Sequence, residues 1–258
     1  MTFADVSLEG HVATVRLQRP EALNALSGEM ADQVGGAFLQ AAAQPDTWAI
    51  VLEAAGDKAF CVGADLKERN QLDDRGWHRN RIFMKGMFEA MRAVPQPTIA
   101  SVFGYALGGG CELALSCDLI VAADDAVFGL PEVRVGIVPG GGGTQLLARR
   151  VGVARAREMI FTGRRITAEI AHEWGMVNVV APRHGLATAT AELAREVCRS
   201  SPVGVREAKF AIDRGLEVPL QQGLELEELA WRRAVASDDR AEGIAAFNDK
   251  RDPDWQGR

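Results

Sequence analysis

Two carboxylates and a run of glycines are the residues here best suited to chemistry. Gly108, Gly109 and Gly110 open a short apolar stretch that reads as a helix, and Glu112 falls in its first turn. The start of a helix leaves backbone N–H groups unpaired and carries the positive end of the helix dipole, so negative charge is favoured there. Glycine lets a ligand approach the main chain closely. Glu132 follows 20 residues later in a Leu-Pro-Glu loop. Two positioned carboxyl groups can serve one reaction as base and acid, the first activating a water and the second delivering a proton. Fixed N–H donors stabilise charge that builds on an oxygen meanwhile. Taken alone, Glu112 is an acid that complements its helix dipole and Glu132 a surface residue.

Other chemistries lack support. The patterns GxSxG, HExxH, GxxxxGK[ST] and GxGxxG are absent, which removes the usual sequence signs of a nucleophile elbow, a helical zinc site, a P-loop and a dinucleotide site. The histidines, His11, His78, His172 and His184, have no metal-ligand spacing. Cys61 and Cys111 flank the glycine motifs without an evident histidine partner and read as small buried residues.

The chemistry-bearing residues lie in three segments, KAFCVGADLKE at 58–68, GYALGGGCELALSCDLIVAA at 104–123 and FGLPEVRVGIVPGGGGTQLLAR at 128–149. In wording and order they resemble the enoyl-CoA hydratase/isomerase (crotonase) superfamily, from RPEALNALS near the start to EGIAAFNDKRDPDWQGR at the end. The resemblance implies an α/β fold, a spiral of stacked ββα units with a helical C-terminal part. It implies reversible hydration of a trans-2-enoyl-CoA to the 3-hydroxyacyl-CoA, as in fatty-acid β-oxidation, with Glu112 and Glu132 as the catalytic pair. Relatives that isomerise, decarboxylate or dehalogenate share the same charge-stabilising N–H donors, and noncatalytic acyl-CoA- or RNA-binding relatives form a different class. PGGGGTQ also resembles a subgroup acting on branched unsaturated chains in leucine breakdown.

By the same resemblance, the amides of Ala64 and Gly109 form an oxyanion hole and Gly140 helps to hold the water. Val62, Ala64, Asp65 and Leu66 cradle coenzyme A with Lys67 near its phosphates, and Phe247 and Lys250 reach a neighbouring subunit's coenzyme site. No metal and no cofactor beyond the coenzyme of the substrate is implied. The expected assembly is a homotrimer or homohexamer. Glu21 stands where many hydratases carry a lysine near the coenzyme phosphates, a contact that Arg19 could replace.

Elements to position these groups are legible. Ala13, Val15 and Leu17 alternate with Thr14 and Arg16, predicting a half-buried strand over 11–18 in a hairpin with 3–8 that turns at Gly10. Ser27 is suited to cap a helix with Met30, Val34, Phe38 and Ala41 on one face, ending near Pro45. Buried strands are predicted over 48–55, 98–102 and 118–123, with further strand character at 177–180. A long amphipathic helix carries Trp77, Met84, Phe88 and Met91, a stripe read as core packing, and stops before Pro95-Gln96-Pro97. AIVLEAAGDKAFCVGADL and DLIVAADDAVFGLPEVRVG share a strand, a polar loop and a phenylalanine, a faint repeat. The expected layout is a core with the active site over 1–195 and a helical oligomerisation region over 196–258.

Composition agrees. The 258 residues are 47% apolar and 25% charged, as in globular proteins, and the net charge of −6 offers no general attraction to nucleic acid or anionic membranes. The basic cluster from Arg149 to Arg165 reads as a solvated face or subunit contact. Four irregularly spaced cysteines suit a reducing compartment. The first ten residues read as neither a secretion signal nor a presequence, and the charge-free stretch 93–111 is broken by prolines and glycines. A cytoplasmic protein without membrane or nucleic-acid partners is expected.

Overall fold

A computed structural model describes residues 1–258. The hairpin forms as the alternation predicts: β1 (Ala4–Glu9) pairs antiparallel with β2 (Val12–Leu17). Ala13, Val15 and Leu17 are buried, and Gly10 turns the chain with φ +56°. The Ser27 side chain accepts the Met30 amide at 3.1 Å and starts α1 (Gly28–Ala43), which buries Met30, Val34, Phe38 and Ala41. That apolar face packs on the long helix introduced next.

The chain then winds as a spiral in which each turn gives one strand to each of two sheets. The first turn is β3 (Ala49–Ala54), β4 (Ala59–Cys61), α2 (Leu66–Arg69) and α3 (Asp74–Ala93). The second is β5 (Thr98–Val102), β6 (Tyr105–Leu107) and α4 (Gly109–Ser116). The third is β7 (Leu119–Ala123), β8 (Val127–Gly129), a 3-10 turn at Glu132–Val135, α5 (Gly143–Val151) and α6 (Val153–Thr162). A last partial turn holds β9 (Arg165–Thr167), α7 (Ala168–Glu173) and β10 (Val179–Ala181). The larger sheet runs β1-β2-β3-β5-β7-β10 and the smaller β4-β6-β8-β9. From β2 to β10 the larger sheet is parallel; its central strands β3, β5 and β7 are covered on both faces and read as buried runs, whereas β2, next to the hairpin, alternates. The faint repeat in sequence is β3-β4 recurring as β7-β8.

Four helices close the chain: α8 (Leu186–Cys198), α9 (Pro202–Gly215), α10 (Leu220–Val235) and α11 (Asp238–Asp249). Leu186 and Ala194 bring α8 into a small core with Val51, Ile99 and Val121, so this helix belongs to the sheet and runs past residue 195. Lys209 ties α9 to the sheet, donating to Asp118 Oδ2 at 2.7 Å and to the Gln96 carbonyl at 2.9 Å. No helix is long and apolar enough to cross a membrane.

Candidate active site

The site forms where the first two turns of the spiral touch. After β4 the chain runs beside Leu26: the Leu26 amide donates to the Gly63 carbonyl at 2.7 Å, and the Asp65 amide to the Leu26 carbonyl at 2.9 Å. The N–H of Ala64 lies between these bonds and has no protein acceptor. Gly109 is the first residue of α4, where helical geometry leaves its own N–H unpaired. These amides are neighbours, since a Cβ on Gly109 would lie 3.8 Å from the Ala64 nitrogen. The approach depends on glycine twice. Gly63 takes φ +93°, and a Cβ on Gly110 would lie 2.0 Å from the Cys61 carbonyl oxygen.

Glu112 projects from the first turn of α4 and is only 3% exposed. Its Oε1 accepts the amides of Gly141 at 2.7 Å and Gly143 at 2.8 Å. Two arginines of α3 fix that glycine loop: Arg81 Nη1 donates to the Gly140 carbonyl at 2.8 Å and Arg92 Nη1 to that of Gly141 at 2.9 Å. Burial raises the Glu112 pKa above the usual carboxylate value, while the two glycine amides and the charge of Arg81 oppose the rise.

Glu132 opens the 3-10 turn after Pro131, and its Oε1 packs against Gly108. Its Oε2 is buried without a hydrogen-bond partner. Desolvation, reinforced by the negative charge of Glu112 and opposed by its own amide and Arg69, pushes the Glu132 pKa up to about 7. Arg134 anchors the turn by donating from Nε and Nη2 to the Thr162 carbonyl at 3.0 and 2.8 Å. One carboxylate is thus clamped by amides, and the other is poised to hold or release a proton near neutral pH.

Both face a cavity of about 650 Å³. Ala64, Gly109 and Gly140 line it with them, as do Val62 and Leu66. The Gly140 carbonyl is engaged by Arg81, and the amides that hold Glu112 belong to Gly141 and Gly143, which sequence reasoning missed. Asp65 lies beside the cavity with its side chain turned inward: Oδ1 caps α2 through the amides of Lys67 and Glu68, and Oδ2 pairs with Arg19 at 2.8 Å. Arg19 is therefore committed to the loop under the hole. Lys67 is exposed on α2, Phe247 is exposed on the outer helix α11, and Lys250 caps the C-terminal end of that helix, all three outside the cavity lining. The long-helix stripe is core at Met84, Phe88 and Met91, all buried, and the exception is Trp77, 41% exposed, which borders the cavity together with Met84 and Phe88. Cys61 and Cys111 are fully buried, and burial pushes the Cys61 thiol up to about 12, beyond useful thiolate chemistry.

The model of the family described as enoyl-CoA hydratase/isomerase matches residues 7–258. The chain belongs to that family. The enoyl-CoA hydratase of Bacillus anthracis, solved by crystallography, superposes with a TM-score of 0.96 at 40% identity, covering 99% of this chain and 100% of that one. The mouse protein named enoyl-CoA hydratase domain-containing protein 2, mitochondrial, is 40% identical over 96% of this chain and 85% of its own. A Mycobacterium bovis protein named probable enoyl-CoA hydratase echA8 is 40% identical over the full length of both chains. Within the enoyl-CoA hydratase/isomerase family, which acts on acyl-CoA thioesters, this chain has the crotonase fold.

Proposed function

We propose that the protein is an enoyl-CoA hydratase. The observation that carries this reading is the pair Glu112 and Glu132, facing one cavity beside the unpaired amides of Ala64 and Gly109. The thioester carbonyl docks on those two amides, which stabilise the enolate-like charge that grows as the β-carbon is attacked. Glu112, ionised and held by Gly141 and Gly143, takes a proton from the attacking water as its oxygen bonds to the β-carbon. Glu132, protonated, delivers a proton to the α-carbon. The product is the 3-hydroxyacyl thioester, and the reverse sequence dehydrates it. These steps use protein groups, water and the thioester. Gly140, on the cavity wall, helps to confine the water.

Coenzyme A lies along the main chain of Val62, Ala64, Asp65 and Leu66, with Lys67 at the cavity mouth meeting a phosphate. Phe247 and Lys250 serve a neighbouring protomer's coenzyme site in a homotrimer or a dimer of trimers. Apolar side chains exposed on the last helices, among them Leu216 at 77%, Leu220 at 79% and Phe247 at 83%, support such an assembly, because surfaces of this kind mark interfaces.

The test is turnover of crotonyl-CoA, followed as loss of the conjugated enoyl-thioester absorbance, in the native protein and in Glu112→Gln and Glu132→Gln. Fast hydration that falls by about 10²–10⁴ in each variant is expected. Absence of hydration with crotonyl-CoA and with longer and branched enoyl-CoAs, despite demonstrable thioester binding, would refute the reading and leave double-bond isomerisation as its successor.

A further inference from the structure

Two residues of the cavity wall, opposite in charge when ionised, each leave a buried polar atom without a partner. Glu132 Oε2 accepts no hydrogen bond, and Arg69 Nε, at the end of α2, donates none. The rest of the Arg69 guanidinium makes neither a hydrogen bond nor an ion pair and rests on the Trp77 ring, 5.2 Å from Cζ to the ring centre. The other charged groups around them are engaged. Glu68 accepts the Gly28 amide at 3.0 Å and Asn80 Nδ2 at 3.1 Å, Arg81 donates to the Gly140 carbonyl, and Arg134 donates to the Thr162 carbonyl. Glu112 is clamped by the amides of Gly141 and Gly143, and burial keeps Cys111 a neutral thiol. Arg69 and Glu132 are left, and each favours the charged form of the other.

Hydration moves a negative charge from one glutamate to the other. At the start Glu112 is ionised, and two glycine amides meet its charge. As the O–H bond of the attacking water breaks, the proton passes to Glu112 and the oxygen bonds to the β-carbon. The electron pair of the resulting enolate then takes the Glu132 proton at the α-carbon. Glu112 ends protonated and Glu132 ends as a carboxylate, in a place where its Oε2 meets no protein donor and a buried charge is costly. We propose that Arg69 is the positioning residue for this step: its guanidinium leaves the Trp77 ring and pairs with the Glu132 carboxylate as the proton departs. The proposal rests on the hydratase reading of the site and adds a residue to it. A guanidinium suits the task, because it is charged at every working pH and its rigid fork of donors matches a carboxylate. The pair opens again when Glu132 regains a proton from solvent, and the indole face receives the cation.

The test reads Glu132 first and the reaction second. Carbon-13 NMR of protein labelled at the glutamate side-chain carboxyl follows the titration of Glu132, whose signal is the one missing from Glu132→Gln. Loss of the cation makes ionisation harder, so the titration should move up by about one pH unit in Arg69→Met and return most of the way in Arg69→Lys. With crotonyl-CoA, whose acyl chain carries no charge, the alkaline limb of hydration kcat/KM should move up by the same amount. At its plateau kcat should fall about tenfold with KM changed less than about threefold. In a Glu132→Gln background, Arg69→Met should change kcat by less than about twofold. A Glu132 signal that titrates at the same pH with and without Arg69 overturns the proposal. So does an equal fall in kcat with and without Glu132, the mark of a structural role, or a rise in KM alone, which would place Arg69 on the substrate. Because the titration needs no turnover, a protein that hydrates no enoyl-CoA would sink the hydratase reading while the NMR still decides whether Arg69 serves Glu132.

Discussion

Arg92 holds Gly141 by its carbonyl, 2.9 Å from Nη1, while the amide of the same glycine donates to Glu112 at 2.7 Å. The geometry of a buried carboxylate is thereby set by an arginine on another helix that does not touch it. Arg92→Met keeps most of the side-chain stem and removes the donor. A fall in kcat of about 10–100-fold with KM changed less than about threefold is expected, since misplacing a catalytic group by about 1 Å has that scale of effect. Arg92→Lys should recover part of the loss, and steady-state kinetics on crotonyl-CoA separate the two parameters.

In the proposed hydration, Glu132 should set the alkaline side of the pH profile. With its pKa raised to about 7 by burial, the proton that it donates in hydration is lost as pH rises through that value. Hydration kcat/KM should fall tenfold per unit above about pH 7 and should decline again in acid as Glu112 takes up a proton. In Glu132→Gln the residual activity should lack the alkaline limb.

The same shift has a signature in stability. A carboxyl whose folded pKa lies above its unfolded value keeps a proton that the unfolded chain has already released, so stability falls as pH rises from the unfolded value toward about 7. Since solvent reaches part of the side chain, the penalty above pH 7 is about 1 kcal/mol. Glu132→Gln should therefore raise Tm by about 2–4 °C at pH 8 and by nothing at pH 4, measured by thermal unfolding.

Two glycines should respond oppositely to one methyl group. In Gly110→Ala the new Cβ would lie 2.0 Å from the Cys61 carbonyl oxygen, forcing β4 and α4 apart, at a cost of about 3 kcal/mol. In Gly36→Ala, on the exposed face of α1, the Cβ meets nothing within 4 Å and helix propensity should add about 0.5–1 kcal/mol. Urea unfolding at neutral pH compares them.

Much of this molecule can be read from its chain because its strongest signals are local. The Ser27 cap, the alternation in β2 and the apolar runs of β3 and β5 each reflect the pattern of a single segment. The strands β6 and β9 escape notice because each is only three residues long, and β6 leads into the Gly-rich turn before α4. The carboxylates are legible as members of motifs, but their environments are not. Gly141 and Gly143 serve Glu112 through backbone amides, which leave no trace in side-chain chemistry. Arg81 and Arg92 act across 59 and 49 residues of sequence. Trp77 shares the helical spacing of Met84 and Met91, and periodicity does not distinguish a core from the wall of a cavity.

One helix both shapes the cavity and restrains Glu112. Trp77, Met84 and Phe88 of α3 line the cavity, and Arg81 and Arg92 of the same rigid rod grip the glycine loop that holds Glu112. An acyl group that levers the rod outward would slacken that alignment while its coenzyme end remained docked. Discrimination among chains would then be exercised on the rate of reaction rather than on occupancy, so that a poorly fitting thioester acts as a bound but sluggish competitor.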